Sequence, residues 1–295
     1  MDRELFIQPS VRIRNLEKKL LTKSQFERLY EADDLQDSIR HLNETVYSED
    51  LAKIDRAENF EVALSNSLNR TYNEALSLCP VKELVDVLTY RFAFHNIKVA
   101  VKEKILQEDF EHIYSKVHYE DLDNLRKQFE TEKGEKGTWY EDTVIQAYKT
   151  FEETKDPEKI EFFIDKRYFE KVLEISKKFG LDLVEEYFRA MIDFVNIRTF
   201  IRCKRQEQDI SVLKEALIQG GYIDIDDIST YFYKEIQDLV NAYKNSKIGK
   251  SLFLGLKGYN ETGRLLLFEK HMENYLTNLL KERVKRMPYG PEIIF

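Results

Sequence analysis

Gly249-Lys250-Ser251 has the residue types that close a phosphate-binding loop: a glycine, a lysine and a hydroxyl in a row. Such a loop also needs a glycine five residues earlier, so that its backbone N–H groups can curl around a phosphate. Lys244 holds that place and no strand pattern precedes it, so direct nucleotide binding is not expected. Asp224-Ile225-Asp226-Asp227 lacks the glycine and distal glutamate of a calcium loop, and its carboxylates suit helix capping, with Asp226 or Asp227 as the cap. The five histidines (His41, His95, His112, His118 and His271) form no pair at i,i+4 and no HExxH, and His112 and His118 stand six apart. No GxSxG elbow presents a nucleophile. Carboxylates are spread over every helical stretch, so none stands out as an acid–base pair. The reading is of a chain with no catalytic site, no metal site and no cofactor.

One motif does recur. Phe94-His95-Asn96-Ile97-Lys98-Val99-Ala100-Val101-Lys102-Glu103-Lys104 aligns without a gap on Phe194-Val195-Asn196-Ile197-Arg198-Thr199-Phe200-Ile201-Arg202-Cys203-Lys204. At 100° per residue, Phe194, Ile197, Phe200 and Ile201 gather on one side, as Phe94, Ile97, Ala100 and Val101 do. Lys98 and Lys102, or Arg198 and Arg202, form a basic stripe beside that face, and Asn96 or Asn196 borders the opposite flank. Arg189 and Asp193, spaced i,i+4, are expected to pair. One reading is a stripe that docks a partner or binds an anion. The other is a solvated flank with an Asn that caps a neighbouring helix or loop, a motif encoding each copy's own packing. Asn96, Lys98, Lys102, Asp193, Asn196, Arg198 and Arg202 are therefore candidates for structural or partner-docking roles.

The elements that must carry these residues are helical. Only 10 Gly and 5 Pro occur among 295 residues, and residues 10–79, 81–133 and 181–219 hold neither. Residues 11–21 predict a first short helix. Ser24 with Glu27 predicts a capping box, and Asp33 with Gln36 a further cap for a helix ending near Asn43. The 3.6-residue period over 59–78 predicts a helix that Pro80 stops, and a long helix follows from Val81 to about Leu106. Short helices over roughly 108–131, a Gly/Lys/Glu-rich loop at 132–138 and a helix near 141–153 come next. Asp156 then caps a helix with Pro157 at its first position, which Gly180 terminates. The second motif helix spans about 181–206. Short helices over 209–247, a Gly-spaced stretch to Gly263 and a long helix from Arg264 to Arg286 complete the chain.

Phe60-Glu61, Ile160-Glu161 and Phe268-Glu269 fall at equivalent places, so the chain divides into three similar helical subdomains, 1–107, 108–207 and 208–295. The same register carries a third Asn-Ile-Arg motif to about position 304, beyond Phe295, so the third subdomain is expected to be truncated before its final helix. A net charge of −8 argues against a nucleic-acid binder. No apolar run approaches the roughly 18 to 20 residues of a membrane span, and MDRELFIQPS lacks the apolar core of a signal peptide. Cys79 and Cys203 have no metal spacing and fit a reduced, cytoplasmic compartment.

Phe-x-Asn-Ile-Lys/Arg, duplicated a hundred residues apart in a Gly-poor helical chain, resembles the C subunit family of the prokaryotic V-type (A/V-type) ATPases, the counterpart of the d subunit of the eukaryotic vacuolar enzyme. Arg12-Ile13-Arg14, then Leu20 to Phe26, then Leu42 to Tyr47 are similar to the start of that family. Pro288-Tyr289-Gly290-Pro291-Glu292 resembles its lead into a final helix. Family members often carry Asp three residues before the Asn; Asp193 fits and Ala93 departs. The resemblance implies an all-α funnel of three subdomains about a pseudo-threefold axis. It implies a non-catalytic central-stalk protein seating the D and F axle subunits on one side and the membrane rotor ring of proteolipid subunits on the other. Such a protein transmits torque for hydrogen ion or sodium transport or ATP synthesis, from a cytoplasmic position peripheral to the membrane. The competing reading is a free-standing helical scaffold or adaptor protein.

Overall fold

Hydrogen bonding at the helix ends decides where each element starts, and in several places a residue beside the expected one does the capping. The computed structural model describes residues 1–117, 122–131, 133, 136, 138 and 140–295, and only the backbone of 122, 123, 129 and 130. His118 and the two glycines of the expected 132–138 loop lie outside the described residues. Among the described residues every regular element is helical. In chain order these are α1 (Ile7–Glu17), α2 (Lys23–Tyr30), α3 (Leu35–Leu42), α4 (Ser48–Leu51), α5 (Phe60–Leu78) and α6 (Lys82–Leu106). There follow α7 (Leu122–Thr131), α8 (Glu141–Thr154), α9 (Pro157–Phe179), α10 (Asp182–Arg205) and α11 (Ile210–Ala216). The last are α12 (Ile225–Thr230), α13 (Ile236–Ala242), α14 (Gly249–Thr262) and α15 (Leu266–Val284).

The expected starts at Asp156-Pro157 and the stop at Gly180 are observed: Asp156 accepts from Glu158 N and Gly180 takes φ 62°. Several boundaries differ, α1 ending at Glu17 and α15 spanning Leu266–Val284 among them. α1 begins at Ile7 rather than residue 11, because Pro9 sits in the first turn, where backbone N–H groups lack helical partners anyway. The capping box belongs to Thr22, not Ser24. Gln25 N donates to Thr22 Oγ1 at 3.3 Å and Thr22 N to Gln25 Oε1 at 2.8 Å. Asp34, not Asp33, caps α3 by accepting from Asp37 N at 2.8 Å. Asp224, not Asp226 or Asp227, caps α12 by accepting from Asp226 N at 2.8 Å. The Gly-spaced stretch is itself helix α14.

Two compact units are formed. One comprises Asp2–Ala100, Asp109–Arg126 and Pro288–Phe295, and here both chain ends meet. Arg3 donates to both oxygens of Glu292, at 2.8 and 2.9 Å, and Gly290 N donates to the buried Ser10 Oγ at 3.2 Å. Arg70 on α5 donates to the buried Asp50 of α4 at 2.8 Å and to the Val46 carbonyl at 3.1 Å.

The other unit contains Val101–Glu108 and Lys127–Met287. Its core gathers Phe194, Ile197, Phe200 and Ile201 of α10 with Leu213, Ile228, Leu239, Leu252, Leu256, Phe268, Met272 and Leu276 from α11 to α15. Burying each such side chain stabilises the fold by roughly 1.5–3 kcal/mol. α10 buries residues around most of its circumference, the polar Asp193 and Asn196 among them, as a helix packed on several sides does. α14 and α15 cross closely because Gly255 and Gly258 lack side chains. A Cβ on Gly255 would stand 2.9 Å from Phe268 Cδ2, and one on Gly258 2.8 Å from Leu267 Cβ.

Candidate functional site

The two copies of the motif occupy equivalent turns of α6 and α10, and in each the Asn does the same thing. Asn96 Oδ1 accepts from Ser115 N at 2.8 Å while its Nδ2 donates to Ser115 O at 2.9 Å. Asn196 Oδ1 accepts from Ile218 N at 2.9 Å while its Nδ2 donates to Ile218 O at 2.8 Å. A side-chain amide offers one acceptor and two donors on one rigid plane, so it pairs with the N–H and C=O of a single residue as a strand neighbour would. The loop after each motif helix thereby gains partners for its buried backbone. Neither Asn lies on a solvated flank; both are fully buried.

Asp193 extends the hold in the second copy, where the first has Ala93. Its Oδ2 accepts from Tyr222 N at 3.1 Å and its Oδ1 from Ile223 N at 3.0 Å. The loop comes this close because residue 221 is glycine: a Cβ there would run into Asp193 Oδ1. Burial pushes the Asp193 carboxyl up from 3.8 to about 7, against the pull of the two N–H bonds and of Arg189. The expected Arg189–Asp193 ion pair does not form. Arg189 meets Glu185 at 3.6 Å, donates to the Gly221 carbonyl at 3.0 Å and lies 4.7 Å over the Tyr222 ring. Its length carries the guanidinium past the carboxylate onto the loop.

The basic stripe points at acids on later helices, α9 and α15. Lys102 Nζ meets Glu161 Oε1 at 2.9 Å. Arg198 and Arg202 meet Glu269 Oε1 at 3.6 and 3.5 Å. Lys98 is engaged as well. Glu161 and Glu269 are the acids of the Ile-Glu and Phe-Glu pairs that set the repeat register, a role sequence reasoning missed although the spacing signalled it. The shared terminal lysine has two uses. Lys204 Nζ donates to the carbonyls of Phe232 and Lys234, both at 2.6 Å, and Lys104 Nζ lies 4.4 Å over the Tyr148 ring.

Gly249-Lys250-Ser251 opens α14, with helix α13 before it. The glycine is there for packing, since a Cβ would strike the Lys244 carbonyl. Among the described residues, no group of three or more His, Cys, Asp and Glu is arranged to hold a metal. Cys79 and Cys203 are buried free thiols, and among the described residues no helix is long and apolar enough to cross a membrane.

Fold and motif together define an all-helical protein that carries one motif on two long helices, with recurring side chains that hold its own loops and pair with acids on later helices. The family described as ATP synthase (C/AC39) subunit matches residues 9–295. The chain is 23% identical to the C subunit of the A-type ATP synthase of Methanosphaera stadtmanae, over 96% of this chain and 76% of that protein. It is 22% identical to the C subunit of the V-type sodium ATPase of Enterococcus hirae, over 94% and 80%. With the C subunit of the A-type ATP synthase of Desulfurococcus sp. it shares 28% identity, over 74% and 62%. The chain belongs to the ATP synthase (C/AC39) subunit family, and so to the subunits of the V/A-type ATPases.

Proposed function

We propose that the chain is the non-catalytic central-stalk subunit of a rotary ATPase, coupling a D–F axle to the proteolipid rotor ring and passing torque between them for ion transport. The observation that carries this reading is where the motif's polar groups go. Asn96, Asn196 and Asp193 cross-link loops to helices, and Lys102, Arg198 and Arg202 close on the next repeat. A body braced in this way transmits rotational work, whereas a compliant one would store it. The three subdomains 1–107, 108–207 and 208–295, set about a pseudo-threefold axis as a funnel, would supply the socket. The position is cytoplasmic and peripheral to the membrane, held there by the ring.

Affinity purification of the tagged chain from its own cells tests this. Retention of the axle subunits or the ring is the expected result. Loss of both, with the helical circular-dichroism spectrum intact, overturns the proposal and favours a free-standing scaffold.

A further inference from the structure

Beside the face of α15 that is buried with α10, a groove of about 490 Å³ runs between α14 and α15. Leu254 of α14 and Tyr275 and Leu279 of α15 give it an apolar wall. Asn274 and Asn278 stand one helical turn apart along it, both exposed. Among the described residues, neither Asn side chain bonds to another group of the chain, and Lys250 on the α14 side meets no acid. Arg283, at the far end of the groove, is fixed by Glu186 Oε2 at 2.8 Å.

We propose that this groove holds an extended, acidic segment of a partner protein, with Asn274 and Asn278 pairing with its backbone. Within the chain itself, Asn96 and Asn196 each take the N–H and C=O of one residue outside any helix. A side-chain amide can do the same for any backbone whose groups are still unpaired, which an extended segment has and a helix interior lacks. The spacing fits as well. Four helical residues rise about 6 Å and two extended residues advance about 6.6 Å, so the two amides would meet alternate residues of the segment. From His271 to Arg283 the groove runs about 18 Å, room for about five extended residues. Main-chain pairing of this kind holds a peptide while alternate side chains select it. Lys250 and Arg283 against Glu282 give the groove a basic excess, in a chain whose net charge is −8. That excess selects an acidic segment. The inference concerns the chain by itself and does not rest on the stalk reading.

An acetylated, amidated peptide of four glutamate–valine repeats serves as the probe, labelled, titrated into the chain and followed by fluorescence anisotropy. Saturable one-to-one binding is expected. Asn274→Ala and Asn278→Ala, both at exposed positions, should each weaken it at least fivefold with the helical circular-dichroism spectrum unchanged. Of two peptides methylated on the backbone nitrogens of the valines or of the glutamates, at least one should lose tenfold. Lys250→Glu should weaken the acidic peptide and strengthen a lysine–valine one. No saturable binding overturns the proposal, as does binding that neither Asn variant nor either methylated peptide changes. A helical alanine–glutamate peptide that binds more tightly than the extended one would assign the groove to a helix and overturn it too. Retention of axle or ring is read separately, so either reading can fail alone.

Discussion

Asn196 grips Ile218 by both its backbone N–H and its C=O, 22 residues further along the chain, and the grip is wholly buried. Asn96 repeats it on Ser115, 19 residues on. The motif that looks like a binding signature is thus a device for fixing a loop against a helix without a strand. The apolar stripe beside it makes the core, and the bases pair with Glu161 and Glu269 on later helices.

Removing that grip should be costly. Asn196→Ala leaves the Ile218 N–H and C=O buried without partners, at roughly 1–3 kcal/mol for each stranded group. The expected loss in urea unfolding is about 2–4 kcal/mol. A loss below about 0.5 kcal/mol would mean that the loop is held by its apolar contacts alone.

Asp193 makes stability depend on pH. Its carboxyl binds a proton more tightly in the folded chain, at about 7, than in the unfolded chain near 3.8. The stabilisation from this proton is fully present below about pH 4 and is lost as pH rises through 7, with a slope of at most about 1.4 kcal/mol per unit. Asp193→Asn, which cannot ionise, should flatten the profile between pH 4 and 7. An unchanged profile would show that Asp193 stays ionised in the fold.

Much of this architecture can be read from the residues. Asp156-Pro157 and Gly180 bound α9 as their backbone chemistry dictates, and the periodicity of Phe194, Ile197, Phe200 and Ile201 marks a core face. The caps at Thr22, Asp34 and Asp224 lie one or two residues from the positions expected. Neighbouring hydroxyls and carboxylates are chemically equivalent, and only the path of the incoming chain chooses among them. α14 reads only as a Gly-spaced stretch because glycine is a poor helix former, and only its crossing with α15 makes Gly255 and Gly258 fit. Nor does any local period announce that Asn196 will meet Ile218 or that Arg198 will meet Glu269. Those partners are set by how the loops and repeats return.

The α14–α15 crossing gives a test by sign. On helix propensity alone, Gly255→Ala should stabilise an exposed helix by about 1 kcal/mol. Here the added methyl would stand 2.9 Å from Phe268 Cδ2 and 3.1 Å from its Cα, so the two helices must separate. Overpacking of this kind costs about 1–3 kcal/mol. Net destabilisation in thermal unfolding is expected, and a raised Tm would refute the tight crossing.

The latch between α10 and α15 should act through placement more than through energy. Glu269, Arg198 and Arg202 are 31%, 34% and 53% exposed at their side chains, so water and salt screen them. Pairs of this kind contribute about 0.2–1 kcal/mol each. Glu269→Gln should therefore cost about 1 kcal/mol or less in low salt and almost nothing at 1 M salt, where the Debye length falls to about 3 Å. Glu269→Arg brings three cations together and should cost more, and Arg198→Glu with Arg202→Glu in the same chain should recover most of that loss. Recovery in a double-mutant cycle would mark charge recognition between α10 and α15. Additive losses would mean that the apolar face of α10 sets the register alone and the acids and bases are merely near one another.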